Sequence, residues 1–255
     1  MKAAHRVLDP SVSNPSARRL CALAVMTKAP RAGEVKTRLV PPLTPDEAAA
    51  LSSCFLRDTA AAILKACGEN AHAIAVYTPA CAAAAYVGIL PDHFELVPQR
   101  GHGFGERLAC ATEDLFRIGF QSVCLIDSDS PTVPAAAYRK AAKLLSNQRQ
   151  HIVLGPSDDG GYYLIGLKKS CRRLFEEIDW SSERVLDQTI QRAGEVKLEV
   201  KLLPTCYDVD DRATLRRLCD ELLGNAAMTK DVAPNTRKFL SDIVGREGRA
   251  RIWPM

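Results

Sequence analysis

The fold predicted from the sequence is one α/β domain, with a predominantly parallel mixed sheet flanked by helices in a Rossmann-like, three-layer α/β/α arrangement. Three observations predict it. Short apolar runs alternate with amphipathic helical patterns along most of the chain, no linker or internal repeat interrupts them, and 255 residues are enough to bury one sizeable core. In such a sheet the ligand site lies at the carboxyl ends of the strands.

Taken in order, residues 1–19 carry Pro10, Pro15 and Asp9 but no apolar run, and read as a loose N-terminal extension and not as a secretory leader. Residues 20–26 form a short apolar strand, followed by a basic Gly/Pro loop. Thr44-Pro45-Asp46-Glu47 then announces a helix by a capping box with proline at its first position, and Leu51, Phe55, Thr59, Ile63 and Ala66 mark its buried face up to Gly68. A strand is expected over 73–78, an alanine-rich helix over 79–87, a strand over 94–97, a helix carrying Leu108, Ala111, Leu115 and Ile118, and a strand over 122–126. The pattern continues with a helix over 134–145, strands over 152–155 and 162–167, and a helix opening at Ser181. The six residues between those two strands are too few for a parallel crossover, so the pair is expected to be antiparallel or to belong to a different layer, and a mixed sheet is expected. Residues 197–202 alternate with period two, as an edge strand does, and Asp211 caps a helix bearing Leu215, Leu218 and Leu222. The domain is thus read as residues 20–224, followed by a basic, partly helical tail over 225–255 in which Phe239, Leu240, Ile243 and Val244 share a face.

Composition narrows the function. Lys and Arg exceed Asp and Glu by 34 to 30, a net charge of +4 with the signs interspersed, so no nucleic-acid partner is expected. The apolar runs are far shorter than the roughly 18 residues of a membrane helix, and a cytoplasmic protein is expected. The nine cysteines form no CxxC pair; they read as small buried thiols and not as a disulfide framework or zinc ribbon.

Four segments carry candidate chemistry. The loop containing Lys28, Arg31, Gly33, Lys36, Thr37 and Arg38 gathers four cations at a strand's carboxyl end, a cradle for phosphate oxygens, although it lacks the glycine spacing of a Walker loop. Gly101, Gly103 and Gly105, with Arg107, form a second loop ahead of a helix but fail the dinucleotide fingerprint. Asp127-Ser128-Asp129-Ser130-Pro131 follows an apolar strand, and an Asp-x-Asp pair in that position can present oxygens to one hard divalent cation. Asp208 or Asp210 is placed to close such a site from the other side, with Asp210 chosen for it. Asp159, Gly160, Gly161 and Tyr162 join the two antiparallel strands and bring backbone, an acid and a ring beside the site. Trp180 is either a packing residue at a helix start or a platform for an acceptor.

The motifs K-A-P-x-x-G-x-V-K-T-R-L at 28–39, G-E-R-L at 105–108, D-S-D-S-P at 127–131, D-G-G-Y-Y-L-I-G-L at 159–167, W-S-S at 180–182 and D-V-D at 208–210 together resemble the radical-SAM/selenodomain-associated transferase family. That group is placed with the nucleotide-diphospho-sugar transferases of GT-A fold. The first segment is also similar to the phosphate loops of 2-phospholactate and molybdenum-cofactor guanylyltransferases. The resemblance implies a nucleotide-dependent transferase of GT-A fold.

Nucleotidyl transfer from a nucleoside triphosphate to a small phosphorylated or acidic acceptor, with release of pyrophosphate, is the leading expectation. Lys28, Gly33, Lys36, Thr37, Arg38, Gly105 and Arg107 are expected to bind the nucleotide, and Mg2+ (or Mn2+) to be held by Asp127, Asp129 and Asp210. Asp127, Asp129 and Lys36 are the catalytic candidates, while Asp159, Gly160, Gly161, Tyr162 and Trp180 face the acceptor. Glycosyl transfer from a nucleotide-diphospho-sugar, with Asp159 as base, is the alternative. A non-catalytic nucleotide-binding module is a third reading. A homodimer is compatible with all three.

Overall fold

A computed structural model describes residues 4–224 and 229–252. Its seven strands are β1 (Cys21–Lys28), β2 (Ala71–Thr78), β3 (Glu95–Pro98), β4 (Ser122–Ile126), β5 (His151–Pro156), β6 (Tyr162–Leu167) and β7 (Glu199–Leu202). They form one sheet in the order β3-β2-β1-β4-β6-β5-β7. Every neighbouring pair is parallel except those of β6, which runs antiparallel to both β4 and β5. The short connection between β5 and β6 dictates that exception. β7 pairs only with β5 and is half exposed, the edge position its alternating sequence predicts.

Among the described residues six α-helices complete the layers: α1 (Pro45–Cys67), α2 (Phe104–Ile118), α3 (Ala135–Leu145), α4 (Val185–Glu195), α5 (Arg212–Leu223) and α6 (Pro234–Glu247). Successive β1 side chains divide between the two faces, as the two-residue period requires. Cys21, Leu23 and Val25 join a core with Leu56, Ala60 and Ile63 of α1 and Tyr138 and Ala141 of α3. Ala22 and Ala24 join another with Leu108, Leu115 and Ile118 of α2 and Ala193 of α4. A third cluster packs Leu51 and Phe55 of α1 against Leu215 and Leu218 of α5 and Leu240 and Ile243 of α6. Thr44 and Asp211 both form the expected capping boxes.

Both ends are tied down more firmly than the sequence suggests. Leu8 donates its backbone N–H to Leu96 and the Leu96 N–H reaches Arg6, so the segment expected to be loose covers the outer edge of β3. At the other end Asp58, buried on α1, accepts from the backbone N–H groups of Asn235 at 3.0 Å and Thr236 at 2.8 Å and so caps α6 from outside. Residues 225–228 and 253–255 of the expected tail lie outside the described residues.

Two other expectations are corrected. The alanine-rich segment over 79–87 makes only a 3-10 turn, Ala83–Tyr86, because Pro79 and the left-handed Gly88 leave it too short to repay helix nucleation. The helix expected to open at Ser181 begins at Val185, since Ser181 itself is left-handed at φ 68° and residues 181–184 form a turn. Among the cysteines, Cys21, Cys54, Cys110, Cys124 and Cys219 are buried as expected, whereas Cys81 is exposed; all nine are free thiols.

Candidate functional site

Two cavities meet at the carboxyl ends of β1 and β4 and share a wall. One, of about 270 Å³, is lined by Lys28, Glu34, Lys36, Thr37, Arg38 and Ser52 together with Ser128, Asp129 and Asp210. The other, of about 340 Å³, has Asp127, Asp129, Asp159, Asp208 and Asp210 on its polar side and Trp180 and Phe104 at its mouth. Asp129 and Asp210 border both.

The shared wall is built around Lys36. Its backbone is left-handed (φ 49°, ψ 37°) at the start of a 3-10 turn, Thr37–Leu39, and Leu39 anchors that turn in the core. The turn drives the side chain inward until only 5% of it is exposed, with Nζ 2.9 Å from Asp129 and 2.7 Å from Asp210. Nζ also donates to the Val209 carbonyl at 2.8 Å. Burial alone would favour the neutral amine, but the two carboxylates outweigh it and hold the Lys36 pKa above its ordinary value. Lys28 closes the basic loop by donating to the Glu34 carbonyl at 3.0 Å. Gly33 sits in that loop at φ 76°, a turn position where glycine avoids strain, and does not line the cavity.

The acids arrive from three separate stretches of chain. Asp127 and Asp129 leave the end of β4, and the Asp127 N–H is fixed by the Tyr163 carbonyl of β6. Asp208 and Asp210 come from the far end of the sequence. The β5 end continues pairing through Ser157 and Cys206, and the Val209 N–H then donates to the Asp129 carbonyl at 3.0 Å. Because Tyr207 and Val209 are buried, the extended alternation turns Asp208 and Asp210 toward the cavities. Asp159 stands in the turn between β5 and β6 and accepts from the Gly161 N–H at 2.9 Å.

Crowding of these acids shows in their protonation. Burial first, then Asp129 and Asp208, push Asp127 well above the usual carboxylate range, against the pull of the Ser130 hydroxyl and Lys36. Asp208 is pushed up to about 6 by burial and by Asp159 and Asp210. One oxygen of Asp127 accepts from Ser130 at 2.6 Å; the other, Oδ1, is shut off from solvent with no protein partner. Among the described residues no three His, Cys, Asp or Glu side chains converge as a finished metal-ligand set, and the Lys36 ammonium stands between two members of the expected trio. The donors are nevertheless all hard oxygens and one is orphaned, which is the chemistry a Mg2+ or Mn2+ ion requires.

The remaining expected residues divide. Trp180 packs edge-on to Phe104 at 5.0 Å between centroids, and Phe104 is 57% exposed. Gly105 lies beneath that indole: a Cβ there would come within 2.6 Å of Trp180 Nε1, so the glycine serves packing and lies away from the basic loop. Arg107 lines neither cavity and hydrogen-bonds the Gly101 carbonyl, so the second glycine loop does not join the first. Gly160, at φ 88°, is pressed against the backbone of Glu183, and its carbonyl accepts from Leu186. That contact holds the 181–184 turn over the acid cavity. Tyr162 lines the cavity with its ring while its hydroxyl is buried toward Thr189. No sequence motif points to Phe104 or Ser52, whereas the parity of Asp208 with Asp210 across the buried Val209 does point to Asp208.

The profile of the DUF2064 family, described as an uncharacterised protein conserved in bacteria, matches residues 62–182. No curated protein matches the chain. Among solved structures, a candidate nucleotide-diphospho-sugar transferase from Desulfovibrio desulfuricans G20 is similar at 29% identity and a TM-score of 0.77, over 89% of this chain and 96% of that one. A CMP:2-keto-3-deoxy-manno-octonic acid synthetase complexed with CTP matches at 9% identity and a TM-score of 0.52, over 78% of this chain and 96% of that one. A Mycobacterium tuberculosis H37Rv protein in complex with manganese matches at 18% identity and a TM-score of 0.50, over 79% and 98% of the two chains. The last two are likenesses of fold alone. The three-layer architecture is therefore the GT-A-like fold of nucleotide transferases, as the sequence motifs imply. No helix among the described residues is long and apolar enough to cross a membrane.

Proposed function

We propose that the protein is a nucleotide-using transferase that moves a nucleotidyl group from a nucleoside triphosphate to a small acceptor and releases pyrophosphate. The observation that carries this reading is the shared wall: a cavity that brings Lys28, Lys36 and Arg38 together, with Glu34 among them, opens on one side of the Lys36–Asp129–Asp210 contact, and a cavity lined by five acids opens on the other. Donor phosphates suit the first and an acceptor the second, with the reacting phosphorus at the wall between them.

Lys28, Thr37 and Arg38 bind the phosphate oxygens, and the Lys36 ammonium, its three donors given to Asp129, Asp210 and the Val209 carbonyl, adds its positive charge against the charge that develops on departing pyrophosphate. Lys36 is held by three protein oxygens before any ligand arrives, so little reorganisation is needed when the charge appears. Asp127, Asp129 and Asp210 would hold Mg2+ or Mn2+, which when bound neutralises acid charge and polarises a phosphoryl oxygen. Asp159, Tyr162 and Trp180 border the acceptor side, where Gly160 and Gly161 let the backbone turn.

Glycosyl transfer from a nucleotide sugar is the second reading, favoured by the description of the Desulfovibrio relative. There Asp159 would take the acceptor proton. The test is incubation with each α-labelled nucleoside triphosphate, or each sugar-labelled nucleotide sugar, in the presence of Mg2+ and a small-molecule extract. Label passing from one triphosphate to a new compound with stoichiometric pyrophosphate supports nucleotidyl transfer; sugar label with released nucleotide supports the alternative. No turnover with any donor would leave only a nucleotide-binding module.

A further inference from the structure

We infer that the acceptor taken by the acid cavity is a hydroxyl compound, uncharged or cationic, carrying a flat apolar group, and not the phosphorylated or acidic molecule expected from the sequence; this rests on the nucleotidyl-transfer reading above. Five carboxylates, those of Asp127, Asp129, Asp159, Asp208 and Asp210, face this cavity, and among the described residues no lysine or arginine lines it. The nearest cation, Lys36 Nζ, already serves Asp129, Asp210 and the Val209 carbonyl from within the wall. Even with a divalent cation bound, and even with Asp127 counted as protonated, that ion and Lys36 bring three positive charges against four carboxylates, so an anion would still meet net repulsion.

The donors beside the acids are committed as well. The Ser130 hydroxyl donates to Asp127, the Ser157 hydroxyl to Asp208 and the Gly161 N–H to Asp159. The acid side presents acceptor oxygen to a ligand, with Asp127 Oδ1 buried and unpartnered among the described residues, while the Ser181 hydroxyl and the Trp180 indole N–H are donors at the mouth. A ligand bringing O–H or N–H donors satisfies the acid side, whereas a phosphate or carboxylate placed there meets carboxylates and, among the described lining residues, no lysine or arginine. The other side of the cavity is apolar: Met26, Leu108, Ile165 and Val185 line it, and Phe104 and Trp180 form an aromatic corner at its mouth. Such a corner accepts a planar apolar group. In the transfer the acceptor hydroxyl oxygen bonds to the α-phosphorus as the bond to the bridging oxygen breaks. Pyrophosphate leaves with that electron pair, and the hydroxyl proton passes to Asp159 and on to solvent.

The test is calorimetric titration of the full chain, with Mg2+ present, by three probes that share one frame and differ in charge: tyramine, tyrosol and 4-hydroxyphenylacetate. Tyramine and tyrosol are expected to bind at least tenfold more tightly than 4-hydroxyphenylacetate. The double change Asp159→Asn with Asp208→Asn is expected to shrink the preference for tyramine over the anion at least fivefold, while Trp180→Ala weakens all three alike. An anion that binds as tightly as tyrosol overturns the proposal, and so does failure of all three to bind. Folding of each variant is checked by its thermal transition, and the wild-type order of the three probes decides the matter even if a variant does not fold. A parallel titration with inorganic tripolyphosphate and Mg2+ reads the basic cavity: its failure with the probe order intact counts against the nucleotidyl reading alone, and the reverse result counts against this inference alone.

Discussion

Replacing Lys36 by methionine keeps the side chain's length and apolar stem and removes only the ammonium. Asp129 and Asp210, whose side chains are 35% and 47% exposed, are then left facing each other with no cation between them. Breaking a fully buried ion pair costs about 3–5 kcal/mol, but partial exposure of these acids lets water answer much of the loss, so a cost of about 2 kcal/mol is expected. For a chain of this size that corresponds to a drop of roughly 4–8 °C in thermal midpoint. The sign with pH follows from the raised Lys36 pKa: its contribution is complete below 10.5 and fades as pH rises through the higher value of the folded state. Wild type and variant should therefore differ by a constant amount between about pH 7 and 9 and converge in stronger alkali. Urea and thermal unfolding across that range measure the difference, and tripolyphosphate titration of the same variant should show at least tenfold weaker binding. A variant with the wild-type midpoint and wild-type polyphosphate affinity would refute the reasoning, since the ammonium would then neither hold the wall nor meet the phosphates.

Other perturbations test the frame around the site. Asp58→Ala removes the carboxylate that accepts from Asn235 and Thr236, and should cost about 2 kcal/mol in urea unfolding while exposing α6 to faster amide exchange. Gly160→Ala puts a Cβ into the backbone of Glu183 at a left-handed position, so a loss of about 2–4 kcal/mol is expected together with weaker tyrosol binding. Glu47 is held down to about 2, chiefly by the Arg251 guanidinium, which donates to both of its oxygens at 2.8 and 2.6 Å. A carboxylate depressed below its unfolded value of 4.5 lends its stability above that pH and loses it as pH falls toward 2. Wild type should therefore exceed Glu47→Gln by about 1 kcal/mol at neutral pH, a gap that closes on acidification through that interval.

The sequence made the sheet and its single antiparallel strand legible, because each strand is a short apolar run and the β5–β6 connection excludes a crossover. Capping boxes at Thr44 and Asp211 were equally plain, since they depend on local hydrogen bonds. Misreadings fell where tertiary contacts override local pattern: the alanine-rich turn at 83–86 has helix propensity but no room, and Ser181 resembles an N-cap although Gly160 and Glu183 hold that stretch as a turn. That Asp127, Asp129 and Lys36 would border the cavities was legible because the loops after β4 and β1 carry them. That Lys36 would stand between Asp129 and Asp210 was not, since the contact spans 174 positions of chain and arises from a left-handed turn that no motif announces. Gly105 and Arg107 are suggested for the nucleotide by the glycine cluster and the G-E-R-L motif; in the structure Gly105 packs beneath Trp180, and Arg107 donates to the Gly101 carbonyl and lines neither cavity.

The most direct test of the central claim is a calorimetric comparison of each nucleoside triphosphate with each nucleotide sugar, in the presence and absence of Mg2+ or Mn2+. The account expects one triphosphate to bind in a metal-dependent way and more tightly than any nucleotide sugar, with at least a tenfold loss on Lys36→Met. Equal or tighter binding of a nucleotide sugar, or triphosphate binding indifferent to both metal and Lys36, would contradict it.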